Sequence, residues 1–327
     1  MFSRAARYRR LLGVLSCVAI LAAPAGAQPF PSKLVRFIVP QTPGGATDVF
    51  ARAVAQKLSE KWDQPVVVEN RAGAAGTIGT DAVAKAAPDG YTLLVTYAGS
   101  QAINQSLYQK LPFDSVKDFQ PVATLAETPF FLIVHPKHPA KDLREFIALA
   151  REKPDSVTFA SSGNGSVNHL LGEMVKTEAG VRIVHIPYKG VAQAITDVLG
   201  GQVDSAFSSV PSVLATIRSG QVRALAVSSA KRIAVAPDVP TIAESGFPGF
   251  DVNPWWGILA PAGTDPALVR KINADVAEVL KTKAMQDLFA AQGAEVLLSS
   301  PQKFLHILQA DVEKWAKVVK AAGVHIN

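Results

Sequence analysis

Along the chain, short blocks of apolar residues alternate with segments of helical period, and Gly-rich turns separate them. Residues 35–39 (VRFIV) form an apolar, β-branched block that predicts a buried strand. Residues 46–61 carry Val49, Phe50, Ala53, Val54 and Leu58 on one helical face. A strand is predicted over 65–69, a short helix over 77–86 and a third strand over 91–96. Strand, Gly-rich turn, helix, strand is the βαβ pattern, which implies a parallel sheet with right-handed crossovers.

A second series begins at Phe130. Strands are predicted over 130–134, 157–160, 183–186, 203–207 and 222–227. Helices over 143–151, 166–177, 191–199 and 211–219 alternate with them. A Pro/Gly-rich stretch from Pro237 to Gly249 then leads to a strand over 255–259. The end differs, with helices over 266–281, 284–291 and 301–322 interrupted only by a short strand over 295–298. Three helices and one strand make a poor domain, so they are expected to return to the first one. The chain then crosses between domains twice, near 128–130 and 251–255, as in a hinged clamp of two α/β lobes.

Composition refines this picture. The 327 residues include 48% hydrophobic and 18% charged residues and one cysteine, which excludes a disordered chain and an internal disulfide. The net charge of +6 would suit a polyanion, but four of the basic residues are Arg4, Arg7, Arg9 and Arg10. An apolar run over 11–23, Pro24 and the small residues Ala25-Gly26-Ala27 follow, the three-part pattern of a secretory signal peptide cleaved after Ala27. The run is too short for the ~20 residues of a spanning helix, and Leu15 spoils a lipoprotein site at Cys17. Without this leader the charge falls to +2 and no cysteine remains, so nucleic acid is not an expected partner.

No enzyme signature stands out. Gly-x-Ser-x-Gly, the P-loop and His-Glu-x-x-His are all missing, and neither a metal nor a cofactor is expected. Ser166 and His169, three apart at a helix start, admit a hydrolase with Asp204 as a third member, or simply a cap and a core hydrogen bond. Four loops that follow strands carry more weight, at 40–48, 70–77, 96–100 and 161–166. Their glycines let the backbone approach a ligand, and each leads to a helix N-terminus, where free N–H groups attract carboxylate or phosphate. Asp48 either orients the Gly44-Gly45 turn or meets a ligand amine. Trp255-Trp256 reads as core packing or a lid.

Several stretches together resemble the Bug family, the TctC-like solute-binding receptors of tripartite tricarboxylate transporters. They are Val39-Pro40 with Pro43-Gly44-Gly45 and Asp48, QPVVVENRAGAAGTIG (64–79), KAAPDGYTLL (85–94), LPFDSVKDFQPV (111–122), ASSGNGSVNHLLGE (160–173), VHIPYKGVAQAITDVLGGQVD (184–204) and PDVPTIAESGFPGF (237–250). The resemblance implies an α/β, two-lobe periplasmic binding protein of type II, a Venus flytrap with a mainly parallel, helix-flanked sheet in each lobe. After a signal peptide over 1–27, lobe 1 is expected to hold 28–128 plus 252–327, and lobe 2 to hold 129–251. The implied ligand is a small carboxylate, held by Thr42, Gly44, Gly45, Asp48, Ala74 and Ala98 in lobe 1 and by Ser161, Ser162, Gly163, Ser166, His169 and Asp204 in lobe 2. The implied partner is a two-component membrane permease with a large and a small transmembrane subunit, served by a monomeric receptor in the periplasm. Gln41-Thr42 departs from the apolar pair common in the family and adds polar capacity beside the pocket. Two other readings fit the same residues, a periplasmic sensor that feeds a signalling kinase and the secreted hydrolase.

Overall fold

The computed structural model describes residues 30–324. The leader, with Cys17 and the cleavage point after Ala27, lies outside the described residues. Among the described residues no helix is long and apolar enough to cross a membrane.

From Lys33 on, the described chain is one compact unit built on two sheets. The first contains β1 (Val35–Val39), β2 (Val66–Asn70), β3 (Thr92–Tyr97), β4 (Phe119–Glu127), β10 (Trp255–Pro261) and β11 (Glu295–Val296), in the order β11-β4-β10-β3-β1-β2. The second contains β5 (Phe130–Val134), β6 (Thr158–Ser161), β7 (Val184–Pro187), β8 (Ser205–Ser209) and β9 (Arg223–Val227), in the order β7-β6-β8-β5-β9. The helices are α1 (Ala46–Trp62), α2 (Thr77–Ala84), α3 (Asn104–Leu107), α4 (Leu143–Glu152), α5 (Val167–Ala179), α6 (Val191–Leu199), α7 (Val210–Arg218), α8 (Pro266–Lys281), α9 (Lys283–Ala291) and α10 (Pro301–Ala322).

Strand direction follows from connectivity. Strands β1, β2 and β3 are parallel, joined through α1 and α2, and β6, β7 and β8 are parallel, joined through α5 and α6. The strands that run against them are β5, which follows β4 of the other sheet almost at once, and β10, reached from β9 through residues 228–254, together with the two-residue β11 at an edge. Strands β5 and β10 are buried along their whole length, which explains their continuous apolar sequences FFLIV and WWGILAP.

The C-terminal helices contact strands and helices from earlier in the chain. Helix α8 lies against β4 and α1, and α10 lies against β4 while also touching α5. Ser300 caps α10 with Pro301 behind it, and Gly323 closes it in a left-handed turn, so its limits are legible in the sequence.

Between the strands predicted over 91–96 and 130–134, the chain forms a π-helical turn (Gly99–Ile103), α3 and the nine-residue β4, and β4 has no counterpart in the sequence pattern. Pro121 inside β4 argues against a strand, and β4 lacks polar alternation because it is covered on both faces. Where it pairs with β10 the register shifts twice, between Trp256 and Gly257 and between Ile258 and Leu259.

The two connections between the sheets run side by side. Thr128 N–H donates to Pro254 O at 3.3 Å. The Ser228 hydroxyl accepts from Phe130 N–H at 2.8 Å and donates to Val252 O at 2.7 Å.

Candidate functional site

A cavity of about 640 Å³ lies between the two sheets, lined from both sides. Helices α1 and α2 from the first sheet and α6 and α7 from the second present their N-termini to it through Gly45, Gly76, Gly190 and Ser209. None of these four ends is capped by a side chain. The contrast with α4, α8, α9 and α10 is direct. Asp142, Asp265, Thr282 and Ser300 cap those helices, and none of these residues lines the cavity. Backbone N–H groups are therefore left for a guest where the helices meet the cavity and satisfied where they do not. Helix α5 is the exception, since Ser166 both caps it and lines the cavity.

Side chains add polarity with little charge. Thr42, Thr47, Ser100, Asn104, Ser162 and Asn168 face the space, and among the described residues Lys189 is the sole charged one in the lining. Tyr97, Tyr108, Tyr188 and Trp256 provide aromatic wall. Burial pushes the Tyr97 hydroxyl up to about 12, only partly offset by Ser100, and burial raises Tyr108 as well. Burial and the Asp197 carboxylate, which accepts from Tyr188 at 2.6 Å, likewise raise Tyr188 to about 12. All three phenols stay neutral.

The loop after β2 is held in a costly shape. Ala74 and Ala75 have φ of 45° and 54°, in the left-handed region. Their carbonyls are tied back from several sides. Ala74 O accepts from Thr77 Oγ1 (2.8 Å) and Tyr108 (3.0 Å), and Ala75 O accepts from Ser100 (3.2 Å) and Asn104 (3.0 Å).

Of the residues expected at the site, Thr42, Gly45, Ala74, Ser162, Gly163 and Ser166 line the cavity. Gly44, Asp48, Ala98, Ser161, His169 and Asp204 do not. Asp48 lies behind the first loop, where it accepts from Gly44 N–H at 3.1 Å and pairs with Arg52 at 2.9 Å. Arg52 also donates to Asn70, whose amide reaches Gln41 O at 3.1 Å. Asp48 therefore shapes the turn. Burial alone would raise its carboxyl, but Arg52, the Gly44 amide and Asn70 outweigh this and hold it below 3.8. Asp48 thus stabilises the fold above pH 3.8 and loses that contribution as pH falls through its lowered value. We expect Asp48→Ala to cost about 1.5–3 kcal/mol in urea unfolding at pH 7, a difference that narrows below pH 3.8.

Ala98 is fully buried beneath the π-helical turn, and Ser161 is enclosed below its own loop. Asp204 faces β6, accepting from Thr158 N–H and Oγ1 at 2.8 and 2.7 Å. The hydrolase arrangement is therefore not assembled. The Ser166 hydroxyl donates to Gly163 O at 2.7 Å, and His169 Nδ1 accepts from Gly165 N–H at 3.0 Å. Among the described residues no group of three or more His, Asp or Glu side chains is placed to hold a metal ion.

Sequence inspection passed over Asn104, Asn168, Tyr188, Lys189, Ser209 and Ser212 as lining residues. Part of the signal was present: Tyr188-Lys189-Gly190 follows β7 and precedes α6, and Ser208-Ser209 ends β8 just before α7.

The model of the tripartite tricarboxylate transporter family receptor matches residues 50–324. Protein BugT of Bordetella pertussis is 40% identical over 322 residues, 98% of this chain and 99% of that protein. An R. palustris protein solved with adipate is 36% identical with a TM-score of 0.88, covering 90% of this chain and 99% of that one. MatC from Rhodopseudomonas palustris with bound malate is 34% identical with a TM-score of 0.84, covering 89% of this chain and 100% of that one.

Proposed function

This chain belongs to the tripartite tricarboxylate transporter receptor family, and on that premise we propose that it captures a small carboxylate between its lobes and delivers it to a two-component membrane permease. The family consists of periplasmic solute-binding receptors, and the chain is a receptor, not an enzyme. The observation that carries the carboxylate reading is the four uncapped helix N-termini, two from each lobe, around one cavity whose lining holds a lysine and no acidic side chain. Amide dipoles converging from opposite walls suit an anion that bridges them, and closure excludes water that would weaken the attraction. Adipate and malate in related structures have this chemistry.

In this proposal the chain is exported, loses residues 1–27 after Ala27, and works as a monomer. Lobe 1 (28–128 plus 252–327) and lobe 2 (129–251) move as the two bodies, turning on the paired connections. The closed form presents the surface that the large and small permease subunits recognise. Thr42, Gly44, Gly45, Asp48, Ala74 and Ala98, and Ser161, Ser162, Gly163, Ser166, His169 and Asp204, form the proposed site, the inner ones touching ligand and the others holding its loops.

A thermal-shift screen tests it. A dicarboxylate at about 100 times its Kd is expected to add ~2.7 kcal/mol and raise the melting temperature by several degrees, whereas cationic amines leave it unchanged. If no carboxylate shifts protein refolded free of ligand, the substrate class is wrong.

A further inference from the structure

Behind the second-lobe loop lies a stacked pair of imidazoles, His169 buried and His185 half-buried, neither of which lines the cavity. His169 on α5 and His185 on β7 stack with ring centroids 3.8 Å apart and planes 15° from parallel, and Phe159 of β6 covers both. Each ring ties one end of the loop. At the near end, His185 Nε2 lies 2.6 Å from Ser161 Oγ. At the far end, His169 Nδ1 accepts the Gly165 N–H at 3.0 Å. Between these ties stand Ser162, Gly163 and Asn164, which line the cavity. Gly165 packs closely against Leu107 of the first lobe, where a Cβ would collide with the Leu107 methyls. The loop is thus both ligand wall and lobe contact, and the two imidazoles hold its ends.

The His169 Nε2 lies 3.5 Å from Glu173 Oε1. Lys176 pairs with the same carboxylate at 2.7 Å and sits above the Phe159 ring. On the other ring, burial first, then His169 and Lys176, outweigh Glu173 and hold His185 down to about 3, so it stays neutral beside the Ser161 hydroxyl.

We infer that His169 and His185 are positioning residues for the 161–166 loop, and that removing the His169 Nδ1 acceptor releases Gly165, loosens the loop and weakens ligand capture. Without that acceptor the Gly165 N–H has no partner beneath the loop, so the energetic loss falls on the loop. This goes beyond carboxylate capture and rests on that reading only for its effect on affinity.

The test separates the two. In full-length protein, 15N-labelled histidine is expected to show His169 as the Nε2–H tautomer at pH 8. His169→Leu should move the Gly165 amide signal and lower affinity for malate and adipate about tenfold, the size of one lost hydrogen bond. His169→Asn keeps an acceptor near the Nδ1 position, so it should restore both the amide signal and the affinity. A Gly165 amide signal unmoved by His169→Leu, or His169→Asn binding no better than His169→Leu, overturns the inference. If neither probe binds wild-type protein, the carboxylate reading fails, and the ring and amide signals still decide the role of the pair.

Discussion

Gly190→Val should reduce carboxylate affinity about 100-fold or more, a loss of ~2.7 kcal/mol, while leaving the ligand-free protein folded. Gly190 precedes α6 with φ −175° and ψ 161°, extended backbone that valine adopts without strain. The obstacle lies in the opposite lobe. A Cβ at Gly190 would stand 2.8 Å from Thr42 Oγ1 and 3.3 Å from its Cγ2. Rotation of Thr42 relieves a single methyl group, as in Gly190→Ala, but the two further methyls of valine require the lobes to separate. Only the closed state carries this penalty, so the equilibrium shifts toward the open one, and ligand must supply the difference. The melting temperature without ligand is expected to change by no more than about 4 °C, because an altered helix cap costs ~1 kcal/mol or less. Adding Thr42→Ala should restore affinity in part, and a double-mutant cycle reads the coupling between the two positions. If Gly190→Val binds malate like wild type, Thr42 and Gly190 do not meet in the ligand-bound state.

That pair also shows what the sequence makes legible. Strand, Gly-rich turn and helix are local signals, so α1, α6, α8 and α10 and the strand β5 lie where periodicity places them. The C-terminal helices are legible because helical period dominates there, with only the short β11 between α9 and α10. Strand β4 is not: Pro121 and burial on both faces remove the alternation by which a strand is recognised. Loops are legible as loops, but which residue in each faces the cavity depends on backbone angles. Gly45 lines it while Gly44, one residue earlier with φ 84°, turns its N–H back to Asp48. Charge misleads in a consistent way. Asp48, His169 and Asp204 are the residues that suggest chemistry, and each is bonded behind a loop or strand instead. Contacts between Thr42 and Gly190, or Leu107 and Gly165, join positions 148 and 58 residues apart in sequence, beyond any local pattern.

Trp256→Ala should be the most destabilising of these changes, and it settles whether the second tryptophan of the Trp255-Trp256 pair is core or wall. The side chain is 2% exposed. Its ring stacks on Tyr97 at 5.6 Å and meets the edge of Phe50 at 5.5 Å, and Phe50 stacks on Phe289 of α9 at 4.7 Å. Its Nε1 donates to Thr47 Oγ1 at 2.9 Å, in the first turn of α1. Trp256 therefore joins the β10 strand, the α1 helix and the C-terminal α9 in one aromatic stack, with one face on the cavity. Truncation to alanine removes these contacts and leaves a void, at a cost of about 3–5 kcal/mol and roughly 10 °C in melting temperature. Trp256→Phe separates the two roles. It keeps most of the ring packing but frees the Thr47 hydroxyl, for a smaller loss of about 1–2 kcal/mol. Because Thr47 lines the cavity beside the open end of α1, the phenylalanine variant should also bind carboxylate more weakly at temperatures where it is fully folded. A purely structural tryptophan would leave that affinity unchanged, and one that served only as cavity wall would leave the melting temperature unchanged in the alanine variant.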